Sequence, residues 1–304
     1  MITRRALLAA GLAVALPVAA AAARPVVVSS KLDVEGALLG ELIRLALAGA
    51  GIPTEDKLRL GPTTIVREAL LSGAIDIYPE YTGNAAFFFH LEGDPVWKDA
   101  QAGHAKADAL DSARNGLIWL APAPANNSWV IALPRRFAAE SRLVTLADLA
   151  TYLRGGGAFR LAASAEFVES DAGLPAFEAA YGFKLDAAQL LILSGGATAA
   201  TMKAAADNIS GVNAAMAYAT DGGLSALDLV ALRDTLHVEP IYAPAPVIRA
   251  DVLETYPQIK PVLAHVFAGL DLTTLRSLNE RVAVAAEAPQ AVARHYLARL
   301  AAAK

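Results

Sequence analysis

The sequence predicts an α/β protein with two lobes, and three observations lead to this class. Short runs of aliphatic and β-branched residues alternate with longer segments in which apolar residues recur at helical spacing. The chain has 304 residues, which is long enough for two domains. Two connectors, a proline-punctuated one at 121–125 and a glycine-rich one at 221–223, separate groups of such units.

The first group of units follows residue 24. The β-branched run 26–28 predicts a buried strand. From Glu35 onward, leucines and isoleucines recur at helical spacing until Gly49 and Gly51 end the helix. The other elements predicted here are strands at 58–60 and 75–78, the second ended by Pro79, and a helix at 63–72.

The rest of the chain continues the alternation, which favours parallel sheets covered by helices. The predicted strands are 129–133, 159–163, 190–193, 212–218, 229–232 and 245–249. The predicted helices are 146–153, 174–181, 197–206, 259–267, 273–284 and 289–300.

The two connectors predict a discontinuous first domain with a second domain inserted into it. Lobe I then comprises 24–126 together with 219–304, and lobe II comprises 127–218. Two consecutive domains are the alternative. In either arrangement, a cleft between the lobes is the expected binding site.

Residues 1–23 have the features of an export signal. Arg4 and Arg5 precede the uncharged apolar run 6–16, and the small-residue tract 19–23 supplies an A-x-A cleavage site. We predict cleavage near Ala23 and a periplasmic location. The paired arginines fit twin-arginine export as well as ordinary Sec export.

The composition excludes several classes of function. The sequence contains no cysteine, which rules out disulfides, thiol nucleophiles and thiolate metal sites. A net charge of −4 argues against nucleic acid as the main partner, because phosphate binding needs a basic face. Beyond residue 23, charges or prolines interrupt every apolar run before it reaches the ~20 residues of a spanning helix.

No catalytic motif stands out in the sequence. It contains no G-x-S-x-G elbow, no H-E-x-x-H and no P-loop, and its five histidines show no i,i+4 pairing. His90, Glu92 and Asp94 could hold a cation, but the polar-turn interpretation is favoured. Glu239 and Asp234 are interpreted as solvated acids. We therefore expect no metal and no cofactor.

The segment 76–84, DIYPEYTGN, combines a strand end with two tyrosines, an acid and turn residues. Further stretches accompany it in order: LGPTTIVREAL (60–70), SGAIDIYPEYTG (72–83), NNSW (126–129), LPAFEAAYGF (174–183), AYATDG (217–222) and PAPVIR (244–249). From about residue 26 to 300, the chain thereby resembles the periplasmic binding proteins of ABC importers for glycine betaine, choline and related osmoprotectants. Within that ProX/OpuAC family it resembles the OsmF/YehZ branch.

The resemblance implies a type II periplasmic-binding-protein fold, in which two α/β lobes close over a ligand at a hinge. It also implies an aromatic cage formed by Tyr81, Trp129 and Tyr218, with core packing as the alternative for each. A quaternary ammonium group has no N–H donor. Aromatic faces suit it, because each contributes about 0.5–2 kcal/mol by cation–π attraction.

Other site residues also follow from the resemblance. Lys31 matches a lysine that reaches the ligand carboxylate, and Asn84 replaces a threonine. Ser170 stands where betaine binders often carry an arginine clamp, and the helix containing Thr201 lacks a fourth cage tyrosine. The complete expected ligand-binding set is Lys31, Tyr81, Asn84, Asn127, Trp129, Ser170, Thr201, Tyr218 and Thr220.

These departures predict weak glycine betaine binding, another cation such as choline, or a ligand that is not quaternary. They also predict tighter betaine binding after Ser170→Arg combined with an aromatic residue at position 201, because the change would restore both a clamp and a cage face.

Taken together, the sequence predicts a periplasmic receptor that delivers a small zwitterion or cation to an ABC permease and catalyses nothing itself. We expect a monomer without a nucleic-acid partner. The alternatives are a receptor of the same fold for an amino-acid-like ligand, an enzyme on a similar two-lobed scaffold, and a sensory domain.

Overall fold

Two five-stranded sheets organise residues 24–193 and 198–302, the part of the chain that the computed structural model describes. The strands are β1 (Val26–Lys31), β2 (Thr54–Gly61), β3 (Ile77–Tyr81), β4 (Leu117–Trp119), β5 (Trp129–Pro134), β6 (Leu161–Ser164), β7 (Leu190–Leu193), β8 (Ala214–Tyr218), β9 (Leu229–Ala231) and β10 (Pro244–Arg249). The sheet of lobe I has the order β2-β1-β3-β10-β4, and that of lobe II has the order β7-β6-β8-β5-β9.

Helices cover these sheets, as the alternating sequence pattern predicts. They are α1 (Val34–Gly49), α2 (Thr63–Leu71), α3 (Asn84–Phe88), α4 (Ala100–Asn115), α5 (Arg135–Glu140), α6 (Leu146–Arg154), α7 (Ala165–Glu169), α8 (Leu174–Tyr181), α9 (Thr198–Ala206), α10 (Gly223–Ala226), α11 (Ala250–Thr255), α12 (Ile259–Ala268), α13 (Leu272–Ala283) and α14 (Pro289–Ala302). Short 3-10 turns occupy Pro95–Lys98, Ala187–Gln189 and Ile209–Gly211.

Both sheets are mixed, whereas the alternation of strands and helices predicts parallel ones. In lobe I, β1 runs parallel to β2 and β3, but β10 runs antiparallel to β3 and β4. In lobe II, β6 runs parallel to β7 and β8, but β5 runs antiparallel to β8 and β9. The antiparallel strands β5 and β10 are those by which the chain enters lobe II and returns to lobe I, so the crossovers account for the reversed direction.

The predicted end of the third strand at Pro79 is wrong, because β3 continues through this residue to Tyr81. Pro79 lies directly opposite Pro246 of β10. Neither proline has an N–H, so the two form a non-hydrogen-bonded pair that needs no donor from either. On the other side, β1 pairs with β3 only at Ile77, so no ladder bond is lost there.

The predicted lobe boundary at 218/219 is too early. Strand β9 pairs with β5 of lobe II, so the chain is still in that lobe at residue 231. It has returned to lobe I by Ile241, whose N–H donates to the carbonyl of Trp97. The glycine-rich connector 221–223 is therefore not the return crossover. It leads into α10, which joins β8 to β9.

Each lobe has its own apolar core. In lobe I, leucines of α1 pack with apolar residues of α12, including Leu38, Leu42 and Phe267. In lobe II, Phe167 and Phe177 are buried together with aliphatic residues of β5 and α6. A further buried cluster lies on the other face of each sheet, and none of these four clusters of described residues spans both lobes, which leaves the space between the lobes free for a ligand.

The predicted signal peptide, 1–23, lies outside the described residues. Within the described ranges, we find no helix whose length and apolar character would let it cross a membrane.

Candidate functional site

A cavity of about 1020 Å³ lies between the two lobes. Lobe I contributes the end of β1, the first turn of α1 and the end of β3. Lobe II contributes β5, β8, α7 and α9. Eight of the nine expected ligand-binding residues line this one cavity: Lys31, Tyr81, Asn84, Asn127, Trp129, Ser170, Tyr218 and Thr220. The structure thus brings together side chains that are up to 189 positions apart in the sequence.

The lobe II side of the cavity carries two stacked aromatic rings. Trp129 opens β5 and lies directly opposite Tyr218, the last residue of β8. Their ring centroids are 6.4 Å apart at an interplanar angle of 23°. Phe167 packs edge-on against Trp129 from the core side, with centroids 5.4 Å apart. The register of two antiparallel strands and this core contact therefore fix the orientation of both rings.

Tyr81 provides the aromatic ring on the lobe I side. It ends β3, is 7% exposed, and donates its hydroxyl hydrogen to Glu35 Oε1 at 2.8 Å. Burial raises the pKa of Tyr81 well above its usual value, and the nearby Glu35 carboxyl adds to the shift. The hydroxyl consequently stays protonated. The ammonium of Lys31 lies 4.8 Å from the centroid of the ring, so one cation already contacts it.

The sequence analysis missed two further aromatic residues of the cavity, Phe87 and Tyr242. Tyr242 lies in the return segment before β10, and its ring packs against Gly83. A Cβ at Gly83 would come within 2.7 Å of two ring carbons, so only glycine fits there. The expectation that only three aromatics face the cavity is therefore wrong. The signal for Tyr242 was its position beside the proline-rich stretch that enters β10.

The Lys31 ammonium is not free to meet a ligand carboxylate as the sequence suggested. It forms an ion pair with Glu80 at 2.5 Å, and its side chain is 8% exposed. Asn84 is also engaged, because its Nδ2 donates to the same carboxylate oxygen at 2.7 Å. Glu80 is fully buried. The positive charge that the family pattern directs at the ligand is thus largely neutralised from within lobe I.

Glu35, in the first turn of α1, connects the two lobes. Its carboxylate accepts hydrogen bonds from Tyr81 Oη at 2.8 Å, Asn279 Nδ2 at 2.6 Å and Asn127 Nδ2 at 3.3 Å. Thr220 Oγ1 donates to Asn127 Oδ1 at 2.8 Å, and Asn279 also donates to the Thr220 carbonyl. Burial raises the pKa of Glu35. Asn127 and Thr220 line the cavity, but their side chains are already engaged in these hydrogen bonds, which join the segments just before β5 and just after β8 to each other and to α1.

Thr201 is the predicted residue that the structure does not place at the cavity. It is 2% exposed, and its hydroxyl lies 2.5 Å from the carbonyl of Met216 and 2.8 Å from that of Thr198. Helix α9 turns Thr198, Ala199, Met202 and Lys203 to the cavity instead. Position 201 falls on the face of the helix that packs on β8. Ser170 does line the cavity, as predicted.

The buried position of Thr201 changes what we expect of an aromatic residue at this position. Thr201→Phe should destabilise the protein by about 1–3 kcal/mol because a ring would overpack the interface between α9 and β8. Ala199→Phe is the matched control, because Ala199 is exposed on the cavity side of the same helix and should tolerate a ring. Urea unfolding of both variants measures the difference. Equal stabilities would contradict the assignment of these two faces.

The cavity is rich in carboxyl groups: Asp33, Glu35, Glu166, Asp221 and Glu239 all line it. The interpretation of Glu239 as a solvated acid is wrong, because the residue is 6% exposed. Its Oε1 is buried and has no hydrogen-bond partner among the described residues. Burial and the charge of Asp234 together raise the pKa of Glu239 to about 8. This buried carboxyl group could not be recognised in the sequence, because acids in polar loops are usually exposed.

Comparison with known proteins places this geometry in context. A family model described as the substrate-binding domain of ABC-type glycine betaine transport systems matches residues 24–299. The chain is 56% identical to the glycine betaine-binding protein YehZ of Escherichia coli K12 over 94% of its own length and 93% of that protein. It is 28% identical to a glycine-betaine-binding protein of Pseudomonas aeruginosa, over 77% of this chain and 75% of that one.

Solved structures agree with the fold. The structure of apo YehZ from Escherichia coli superimposes with a TM-score of 0.82 and covers 91% of this chain and 99% of that one, at 56% identity. Lactococcal OpuAC in its closed form with glycine betaine gives a TM-score of 0.57 at 9% identity and covers 91% of this chain and 96% of that one. The second match concerns the fold alone. The predicted family and the predicted type II periplasmic-binding fold are both confirmed.

Proposed function

Because the chain belongs to the family of substrate-binding domains of ABC-type glycine betaine transport systems, we propose that its interlobe cavity binds a small quaternary ammonium compound, with glycine betaine as the first candidate. Membership makes the chain the substrate-binding component of an ABC transporter. The observation that carries the ligand proposal is the convergence of Tyr81, Trp129, Tyr218 and Tyr242 on a single cavity.

The physical reason is the chemistry of a quaternary ammonium group. It is large and weakly hydrated and carries no N–H, so hydrogen-bond acceptors alone hold it poorly. Aromatic faces attract it through their quadrupole, and the attraction grows when water is excluded. The exposed carboxylates of Asp33 and Glu166 at the cavity add a negative potential that favours a cation. Both features favour a ligand with a positively charged head.

The proposal extends to the setting of the protein. The chain is exported to the periplasm, acts as a monomer, and hands its ligand to permease subunits in the membrane. It catalyses no reaction itself, and a separate subunit hydrolyses ATP. The A-x-A tract before residue 24 and the family of binding proteins support the export step.

A ligand screen tests the proposal. Glycine betaine, choline and a set of amino acids should each be added to the chain from residue 24 onward, and thermal unfolding should be recorded for each mixture. A ligand at a hundred times its dissociation constant stabilises the folded state by about 2.7 kcal/mol, which raises the melting temperature measurably. Stabilisation by amino acids, with neither quaternary compound having an effect, would contradict the proposed ligand class.

Replacement of one aromatic ring tests the cage itself. Tyr218→Leu should weaken binding of a quaternary ammonium ligand by about 3- to 30-fold, because it removes one cation–π contact. Tyr152→Leu is the matched control. Tyr152 lies in the same lobe, contacts Phe137 edge-on at 6.0 Å and does not line the cavity. Titration calorimetry compares the two, and equal losses of affinity would show that the ring at 218 only supports the fold.

A further inference from the structure

The cavity contains a buried carboxyl group that the proposed aromatic cage does not use. Glu239 lies in the segment between β9 and β10, through which the chain returns to lobe I. It lines the cavity, and it is 6% exposed. Its Oε1 has no hydrogen-bond partner in the part of the chain that the structure describes. A buried acceptor of this kind is costly, so it requires an explanation.

An ionised carboxylate is disfavoured in such a position, since no hydrogen-bond donor among the described residues compensates for the lost hydration of Oε1. Two neighbouring charged groups have opposite effects on the ionisation of Glu239: Asp234 disfavours its negative charge, and Lys98 favours it. Tyr242, the ionisable neighbour on the return segment, stays protonated because burial raises its pKa. The protonated acid is therefore the ordinary form of Glu239 near neutral pH, in agreement with a pKa of about 8. In that form the group carries an O–H donor.

The cavity offers few other partners for an anionic group. The ammonium of Lys31 is paired with Glu80 at 2.5 Å. The position of the family's arginine clamp is occupied by Ser170, whose side chain is neutral. Lys203 lines the cavity, but its ammonium pairs with Asp207 at 2.5 Å and is largely in solvent. A zwitterion that enters with its cation against the rings therefore meets no unpaired cationic side chain among the described residues that line the cavity, so its carboxylate depends on neutral donors.

We propose that Glu239, as the protonated acid, donates a hydrogen bond to the carboxylate of a zwitterionic ligand and takes the role of the missing arginine clamp. This inference rests on the proposed function, because it assumes a quaternary ammonium ligand that also carries a carboxylate. A hydrogen bond from O–H to a carboxylate is charge-assisted and stronger than a neutral one. A ligand without a carboxylate, such as choline, gains nothing from it.

The pH dependence of binding is the readout. Glycine betaine should bind the wild-type protein with an affinity that falls up to tenfold per pH unit above about pH 8, since the ligand binds only the protonated form. Glu239→Gln keeps an N–H donor that does not titrate. It should therefore retain betaine binding and lose this pH dependence. Glu239→Leu lacks any donor and should bind betaine at least about tenfold more weakly at every pH.

Two controls assign the effect to this group. Glu166→Gln removes another carboxyl group of the same cavity, but an exposed one, and should leave the pH dependence unchanged. Choline affinity should not fall with pH in any of the proteins. Burial also raises the pKa values of Glu35 and Asp221, so the comparison with Glu239→Gln identifies the titrating residue.

The possible results distinguish a failure of the role proposed for Glu239 from a failure of the proposed function. Betaine binding that does not change with pH, or that strengthens as pH rises, overturns the role of Glu239. So does a Gln variant that retains the wild-type profile. Loss of choline binding in Glu239→Gln shows instead that the carboxylate contacts the cation. If wild-type protein binds neither betaine nor choline, the proposed function fails first, and this inference fails with it.

Discussion

Glu80→Ala should destabilise the folded protein by about 3–5 kcal/mol, because it breaks a buried ion pair and leaves its partner uncompensated. The carboxylate of Glu80 is fully buried and accepts four hydrogen bonds. The donors are Lys31 Nζ at 2.5 Å, the backbone N–H of Tyr81 at 2.7 Å, Asn84 Nδ2 at 2.7 Å and Tyr78 Oη at 2.8 Å. After the substitution, the ammonium of Lys31 would remain in a site with little access to water.

A double-mutant cycle measures this effect. Glu80→Ala, Lys31→Met and the double variant should be unfolded in urea, and the double variant should be more stable than Glu80→Ala alone, since it no longer buries an unpaired charge. Glu140→Ala is the control for a solvent-exposed pair. Its partner Arg136 is 87% exposed, so no measurable change is expected. A loss below about 1 kcal/mol for Glu80→Ala would show that water reaches Lys31 and compensates for its charge.

Glu239→Gln should stabilise the ligand-free protein at alkaline pH. The pKa of Glu239 is raised from 4.5 to about 8, mainly by burial, so the folded state binds its proton more tightly than the unfolded state. The wild type therefore loses stability as pH rises from about 4.5 to 8, whereas the Gln variant does not titrate at this position. A pKa shift of this size corresponds to a loss of about 3–5 kcal/mol in the free energy of unfolding of the wild type across this pH range.

The measurement is the free energy of unfolding of wild type and variant at several pH values. The difference in unfolding free energy between the Gln variant and the wild type should be smallest at about pH 4, where Glu239 is protonated in both the folded and the unfolded state. It should grow until about pH 9. Glu166→Gln again serves as the comparison, because its carboxyl group is exposed. A constant difference across the range would mean that Glu239 titrates normally in the folded protein.

The two predictions are linked through the cavity. Glu80 neutralises the lysine that the family pattern directs at a ligand carboxylate, while Glu239 remains without a partner for its buried oxygen. The ammonium of Lys31 therefore stabilises lobe I through its ion pair with Glu80. We propose that recognition of the carboxylate depends on a protonatable acid instead. Binding would then respond to pH more strongly than it would with an arginine clamp, whose charge does not change in this range.

Local signals in the sequence located many elements well. Helix α8 and strand β7 lie where the pattern predicts them, since α8 ends at Gly182 in the left-handed conformation (φ 69°) and β7 is a continuous apolar run. Helix α4 was not predicted, because its 16 residues bury only Gly103, Ala107 and Asp111 and show no clear apolar stripe. Its buried Asp111 is satisfied by a two-bond ion pair with Arg67. No sequence pattern reveals that pair, since the residues are 44 positions apart.

The residues of the candidate site, too, could be predicted only in part from the sequence. Motif positions identified Tyr81, Trp129 and Tyr218 as residues that would share a cavity, and all three line it. The same reasoning placed Thr201 at the cavity, but α9 turns that position toward β8. It missed Tyr242, because the segment that carries it crosses between the lobes and belongs to no regular element. Which face of a helix meets a cavity depends on its rotation against the sheet, and that rotation is set by packing.

The sequence by itself determined the α/β class, the family and three aromatic residues of the cavity (Tyr81, Trp129 and Tyr218), since periodicity and motif spacing are local properties of the chain. Only the tertiary structure decided the electrostatics of the site. Whether Lys31 is free or paired depends on Glu80, 49 positions away, and whether Glu239 is hydrated depends on what covers it. Desolvation and pairing arise when distant segments pack together, so they cannot be assigned to a residue before the fold that surrounds it is known.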